Sequence, residues 1–198
     1  MSIDNAYVRR ALGATMRLAV HDRKALMQLE LTADGFFRSF YALILALPAY
    51  SFKVLGDLAI LSELVAEGED AKRVTVTVLI LVHLVNFLGA SLLFLVLMVP
   101  LSRVLGVAAS YGPMAIAYNW GTLIVWLLYA PVTVLYGLGL LSADDAMSLR
   151  LIVMGFALYL RYASLSVTLN APISVGLALA MIDLLLQFVW FGLLVNLV

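Results

Sequence analysis

Few residues in this sequence are equipped for chemistry, and five of them fall where polarity is costly. Asp183 lies inside "LALAMIDLLLQF", residues 177–188, with Gln187 one helical turn further on. Arg161 interrupts "IVMGFALYLRYASL", and His83 and Asn86 stand three apart in "LVHLVNF". A carboxylate at the centre of an apolar span costs roughly 2.5–3.5 kcal/mol on an insertion scale, so something must offset it. These side chains admit three uses: a polar cluster that fixes helix packing, a proton or ion path relayed by His83 and Asp183, or a substrate pocket or hydrolytic centre. The first is the leading expectation. A small transporter or ion or proton channel subunit is the alternative.

Other chemistry finds no support. There is no cysteine, so disulfides and thiolate sites are excluded, and no cofactor or metal is expected. His21 and His83 fall in separate segments, so no paired-histidine zinc motif forms. "YGLGLL" is a lone Gly-x-Gly within apolar sequence, and no serine sits in a nucleophile elbow. A non-enzymatic protein is expected. The twelve basic and twelve acidic residues cancel, which gives no global charge for nucleic acid.

The elements that must hold these residues follow from composition. The chain has 198 residues, 65% hydrophobic and only 12% charged, whereas a soluble domain is nearer half apolar and a quarter charged. An all-α, polytopic integral membrane bundle is expected. Spans of about 20 residues cross about 30 Å of hydrocarbon. Five are expected, at 37–58, 74–99, 113–140, 149–169 and 173–198. "LSRVLGVAAS" between the second and third reads as a short interfacial helix, with a re-entrant or sixth segment as the alternative. At 1.5 Å per residue, Asp183, Arg161 and His83 lie roughly 15, 10 and 18 Å from the inner edge. All three are therefore expected to meet near the midplane.

Each span carries one small-and-polar stripe. Gly176, Ala180, Asp183 and Gln187 step by four, three and four on the fifth span, which is one helix face. Small residues let membrane helices approach closely, and polar ones bond across the contact. The stripes should face one another.

Two regions are expected: residues 1–35, a basic helix and linker, and residues 36–198, the five-helix domain. The start, "MSIDNAYVRRALGATMRLAVHDRK", has no apolar core of a signal peptide and should be retained. Residues 5–29 read as one amphipathic helix. Arg10, Arg17 and Lys24 recur every seven residues opposite Val8, Leu12, Ala19 and Leu26. That stripe suits an anionic inner leaflet, touching lipid headgroups or a partner protein. Gly35 in "TADGFFRSF" reads as a hinge, and Arg38 as a snorkelling anchor. The basic residues before the first span place the N-terminus in the cytoplasm and, with five spans, the C-terminus outside. The acid-rich stretch at 63–70 then lies outside.

"FFRSFYALILALP", "SRVLGVAASYGP" with Arg103, Tyr111 and Pro113, and "IVMGFALYLRYASL" carry a resemblance over residues 36–198. In layout and motif the chain resembles the Yip domain family of small polytopic membrane proteins, its prokaryotic members above all. The resemblance implies five spans and residence in a bacterial inner membrane. Eukaryotic relatives are implicated in vesicle trafficking and bind Rab GTPases through cytoplasmic parts. This chain departs from them in having only a short basic helix there. The resemblance implies association with membrane components, a membrane-protein partner or a further copy of the chain.

Overall fold

The computed structural model describes residues 4–66 and 76–196, with the side chains of 57–66, 76 and 79 excepted. Segment 67–75, which holds part of the acidic stretch and the expected start of the second span at 74, lies outside the described residues. Among those described, the structure is all-α, with seven helices: α1 (Asn5–Ala19), α2 (Ala33–Ser39), α3 (Tyr41–Ala66), α4 (Val76–Val104), α5 (Tyr111–Gly137), α6 (Ala143–Thr168) and α7 (Ile173–Asn196). Five stretches are long and apolar enough to cross a membrane, namely Ala33–Gly56, Ile80–Val104, Ala108–Gly137, Ala143–Thr168 and Ile173–Asn196. The chain is thus compatible with an integral membrane protein.

The helices stop for local chemical reasons. At the ends of α4 and α5, Gly106 and Gly139 adopt φ of +70° and +69°. At the first, Val107 N–H donates to Ser102 C=O and Gly106 N–H to Arg103 C=O; Leu140 and Gly139 repeat the pattern on Leu135 and Tyr136. This paired closure satisfies the last carbonyls and needs a left-handed residue, which glycine supplies without strain. α6 ends in the same way on Asn170, with Pro172 two residues beyond. α6 begins on Ser142, whose hydroxyl accepts from Asp145 N–H at 3.1 Å.

Two expected boundaries are corrected. "LSRVLGVAAS" is not a separate helix: α4 runs on through Pro100 to Val104, and only Ala108–Ser110 forms a 3-10 turn. α4 therefore ends five residues beyond the expected end at Val99, and its stop is Gly106. The N-terminal helix does not continue to Leu29. It ends at Ala19 because His21, at φ +57°, closes it, with Asp22 N–H on Arg17 C=O. Residues Arg23–Gln28 then form a 3-10 helix capped by Asp22. A left-handed histidine is unusual; its ring lies 5.5 Å from that of Tyr162, and Arg17 bonds to Asp22 across the turn.

α5 is the central element. Met114 to Ile124 are buried without interruption, so this helix is covered on every side. It packs against α3, α4 and α6, while α3 meets α4, α4 meets α7, and α7 meets α6 around it. α1 packs on α5 and α6. Its Tyr7, Ala11, Ala14 and Leu18 share a core with Ala42, Ala46, Trp120 and Leu123 of the spans. Large apolar residues of α4 and α7 face outward, among them Val96, Leu185, Phe188 and Leu193.

Gly35 is a close-approach residue and not a hinge. A Cβ there would stand 1.8 Å from the Glu30 carbonyl oxygen, so only glycine lets the preceding segment lie against α2. Arg38, from the next turn, reaches back to Glu30 at 3.2 Å.

Candidate functional site

The cost of burying Asp183 is offset where side chains of α5, α6 and α7 meet. Asp183 is 1% exposed. Its Oδ1 accepts from the Tyr118 hydroxyl at 2.8 Å, and its Oδ2 accepts from Gln187 Nε2 at 3.2 Å. Arg161 Nε lies 3.4 Å from the same Oδ2. Gln187 reaches the carboxylate because residues i and i+4 share a helix face. Arg161 reaches it across the α6–α7 contact with its long stem.

Arg161 is held as firmly as the carboxylate. Its Nη1 donates to the Tyr118 carbonyl at 2.7 Å and its Nη2 to Thr122 Oγ1 at 2.6 Å. Its guanidinium carbon stands 3.6 Å from the centre of the Tyr118 ring. The opposite wall of that ring is Phe94, stacked at 5.0 Å and 19°. Gly121 of α5 lies against this arginine, and a Cβ there would be in van der Waals contact with Nη1 at 3.4 Å. The result is a buried charge pair with its hydrogen-bond demands met by neighbours. That is the condition under which such a pair is tolerated in a low dielectric.

The structure brings together Asp183, Arg161 and Gln187 but places His83 and Asn86 elsewhere. The expected single midplane cluster is therefore two. Tyr50 Oη lies 3.1 Å from His83 Nδ1 and donates to the His83 carbonyl at 3.0 Å. Asn86 Nδ2 reaches the same hydroxyl at 3.5 Å, and Trp126 meets the Tyr50 ring edge-on at 4.6 Å. This group joins α3, α4 and α5. The reason is depth. Phe94 stands level with Tyr118, and His83 precedes it by eleven residues, about 16 Å along the helix axis. The extension of α4 to Val104 moves His83 away from its expected depth, toward the N-terminal end of the span.

Two contributors were not among the expected site residues: Tyr118 and Tyr50. Each is a tyrosine well inside a span, and not at the ends where aromatic belts lie. A buried phenol needs a partner for its hydroxyl, which is the signal that could have found them.

The three basic residues assigned to headgroups or a partner have three different fates. Arg10 is exposed, 5.9 Å from the Tyr7 ring. Arg17 Nε donates to Asp22 Oδ2 at 2.8 Å, and this hydrogen bond holds the Asp22 carboxyl below its usual range. Lys24 is exposed on the 3-10 segment, off the axis of α1. They do not make one stripe, because the helix ends between the second and the third. No group of three or more histidine, cysteine, aspartate or glutamate side chains suited to a metal occurs among the described residues.

No protein-family model matches the chain, and neither a curated protein nor a solved structure matches it.

Proposed function

We propose that this chain is a non-enzymatic integral membrane protein that associates with other membrane components. Its layout is Yip-like, its N-terminus is cytoplasmic and its C-terminus lies across a bacterial inner membrane. One observation carries the reading. The strongest candidate for intramembrane chemistry, Asp183, is sealed: both oxygens are engaged, and Phe94 and Leu179 belong to the apolar core around it. A carboxylate locked in this way fixes the mutual rotation of α5, α6 and α7. A relay from it toward His83 would have to cross about 16 Å of span.

With the polar groups turned inward, the outward faces of α4 and α7 are left for lipid and neighbouring proteins. Small-residue contacts and packing supply association in a bilayer. The test has two arms. Purified chain in liposomes with an internal pH dye should give no proton flux above empty liposomes, with or without a membrane potential. A photocrosslinker at exposed Phe188 should join the chain to defined membrane components, while one at buried Leu179 should give only intramolecular products. A proton flux that Asp183→Asn abolishes would replace this reading with the transporter one.

A further inference from the structure

An apolar groove of about 610 Å³ runs along the outside of α4, between that helix and the α2–α3 junction. It is lined by Leu92, Val96, Val99 and Pro100 of α4 and by the aromatic rings of Phe40 and Tyr111. Tyr111 is pinned, because its hydroxyl donates to the Leu95 carbonyl at 3.1 Å. Val96 is 66% exposed, so the groove opens to the surroundings of the bundle.

Arg103 stands at the C-terminal end of the same face, since residues 92, 96, 99 and 103 step by four, three and four. Arg17, Arg38 and Arg161 each have a carboxylate partner. Arg103 is exposed and has none among the described residues. From Leu92 to Arg103 the helix rises about 16 Å, close to one leaflet of a hydrocarbon core about 30 Å thick.

We propose that this groove binds an anionic phospholipid, with one acyl chain against Leu92, Val96 and Val99 and the headgroup phosphate on Arg103. The apolar length matches one leaflet, and the single cation lies where a headgroup would be. Basic sites between helices at a membrane face recognise anionic headgroups in this manner. The proposal rests on the chain's residence in a bilayer and names one of its membrane components.

The test uses the full chain purified in mild detergent. Native mass spectrometry would follow retention of added phosphatidylglycerol, with phosphatidylcholine as the neutral arm. Wild type should retain one phosphatidylglycerol in preference to phosphatidylcholine. Arg103→Gln should weaken retention about five-fold, the factor corresponding to about 1 kcal/mol for one basic residue at a charged surface. Val96→Trp should fill the groove and displace the lipid while Arg103 stays intact. Arg23→Gln, a basic change elsewhere, should leave retention unchanged.

Equal retention by wild type and both groove variants would overturn the proposal. So would a mass of two chains that Val96→Trp converts to one, which would make the groove a contact between copies. Alkaline extraction of membranes separates the two readings. A chain released by it fails the membrane reading, whereas a chain that resists it yet retains no phosphatidylglycerol fails only this proposal.

Discussion

The Arg161–Asp183 pair offers the sharpest test of how the bundle is held. Changing Arg161 to Met leaves Asp183 with only the Tyr118 and Gln187 donors and no compensating charge, at 1% exposure. Removing one half of a buried pair costs about 3–5 kcal/mol, because the other charge is stranded. Asp183→Leu should cost less. The guanidinium keeps the Tyr118 carbonyl, Thr122 Oγ1 and the Tyr118 ring face, and it is the more exposed partner. The double change Arg161→Met with Asp183→Leu strands neither charge. It leaves the Tyr118 hydroxyl and Gln187 in want of partners, for about 1–3 kcal/mol.

The expected order of stability is wild type, double variant, Asp183→Leu, then Arg161→Met. The coupling energy should be about 2 kcal/mol or more. Denaturation of all four proteins in one detergent, followed by far-UV circular dichroism and monodispersity, measures it. Single effects that add in the double variant to within about 0.5 kcal/mol would refute the pairing. Tyr118→Phe is the companion variant. It keeps the ring between Arg161 and Phe94 and removes one hydrogen bond to a charged acceptor, for about 1.5–3 kcal/mol.

Other outcomes follow from particular contacts. Gly35→Ala should destabilise by about 2–3 kcal/mol, because its Cβ would meet the Glu30 carbonyl oxygen. Gly13→Ala, in open space on α1, should instead stabilise by up to about 1 kcal/mol in the same melts. Because the folded Asp22 carboxyl titrates below its usual range, its contribution is present above the unfolded value near pH 4. It is lost as pH falls from there through the lowered folded value. Protection factors for hydrogen exchange at residues 20–28, corrected for the intrinsic pH dependence of amide exchange, should therefore be higher at neutral pH than in acid, and Asp22→Asn should remove that pH dependence. Reporters fused after Arg103 and after Val198 should lie on opposite sides of the membrane; the same side for both would exclude five spans.

The spans were legible because length and hydropathy alone define them, and the inward face of α7 was legible because a stripe at steps of four and three leaves little choice of face. Depth was not. The position of His83 depended on where α4 ends, and Pro100 is a plausible stop that the helix passes. Gly106 was the true one, decided by a left-handed closure that needs the tertiary chain path. α1 was read as too long for a related reason. Its terminator is His21, and histidine signals a left-handed turn far more weakly than glycine does. Gly35 was visible as a glycine, but close approach and hinge motion select the same residue, and only the Glu30 carbonyl tells them apart.

The packing of α1 alters what its basic residues can do. A helix that floats on a leaflet must turn its apolar face to lipid. Here Tyr7, Ala14 and Leu18 are buried where α1 packs on α5 and α6, and the Tyr159 hydroxyl of α6 donates to the Ala19 carbonyl at 2.7 Å. The face left outward carries Arg9 and Arg10 beside Gly13 and Met16. Such a face can attract an anionic surface only by charge, at about 1 kcal/mol per residue, and salt screens it. A free peptide of residues 1–30 has its apolar face available and should bind even neutral vesicles in part. The whole chain, with that face spent, should show a purely salt-sensitive attraction that Arg9→Gln with Arg10→Gln removes. Measuring peptide and intact chain side by side decides the matter: a salt-resistant α1–lipid contact in the intact chain would mean that α1 leaves its seat on α5.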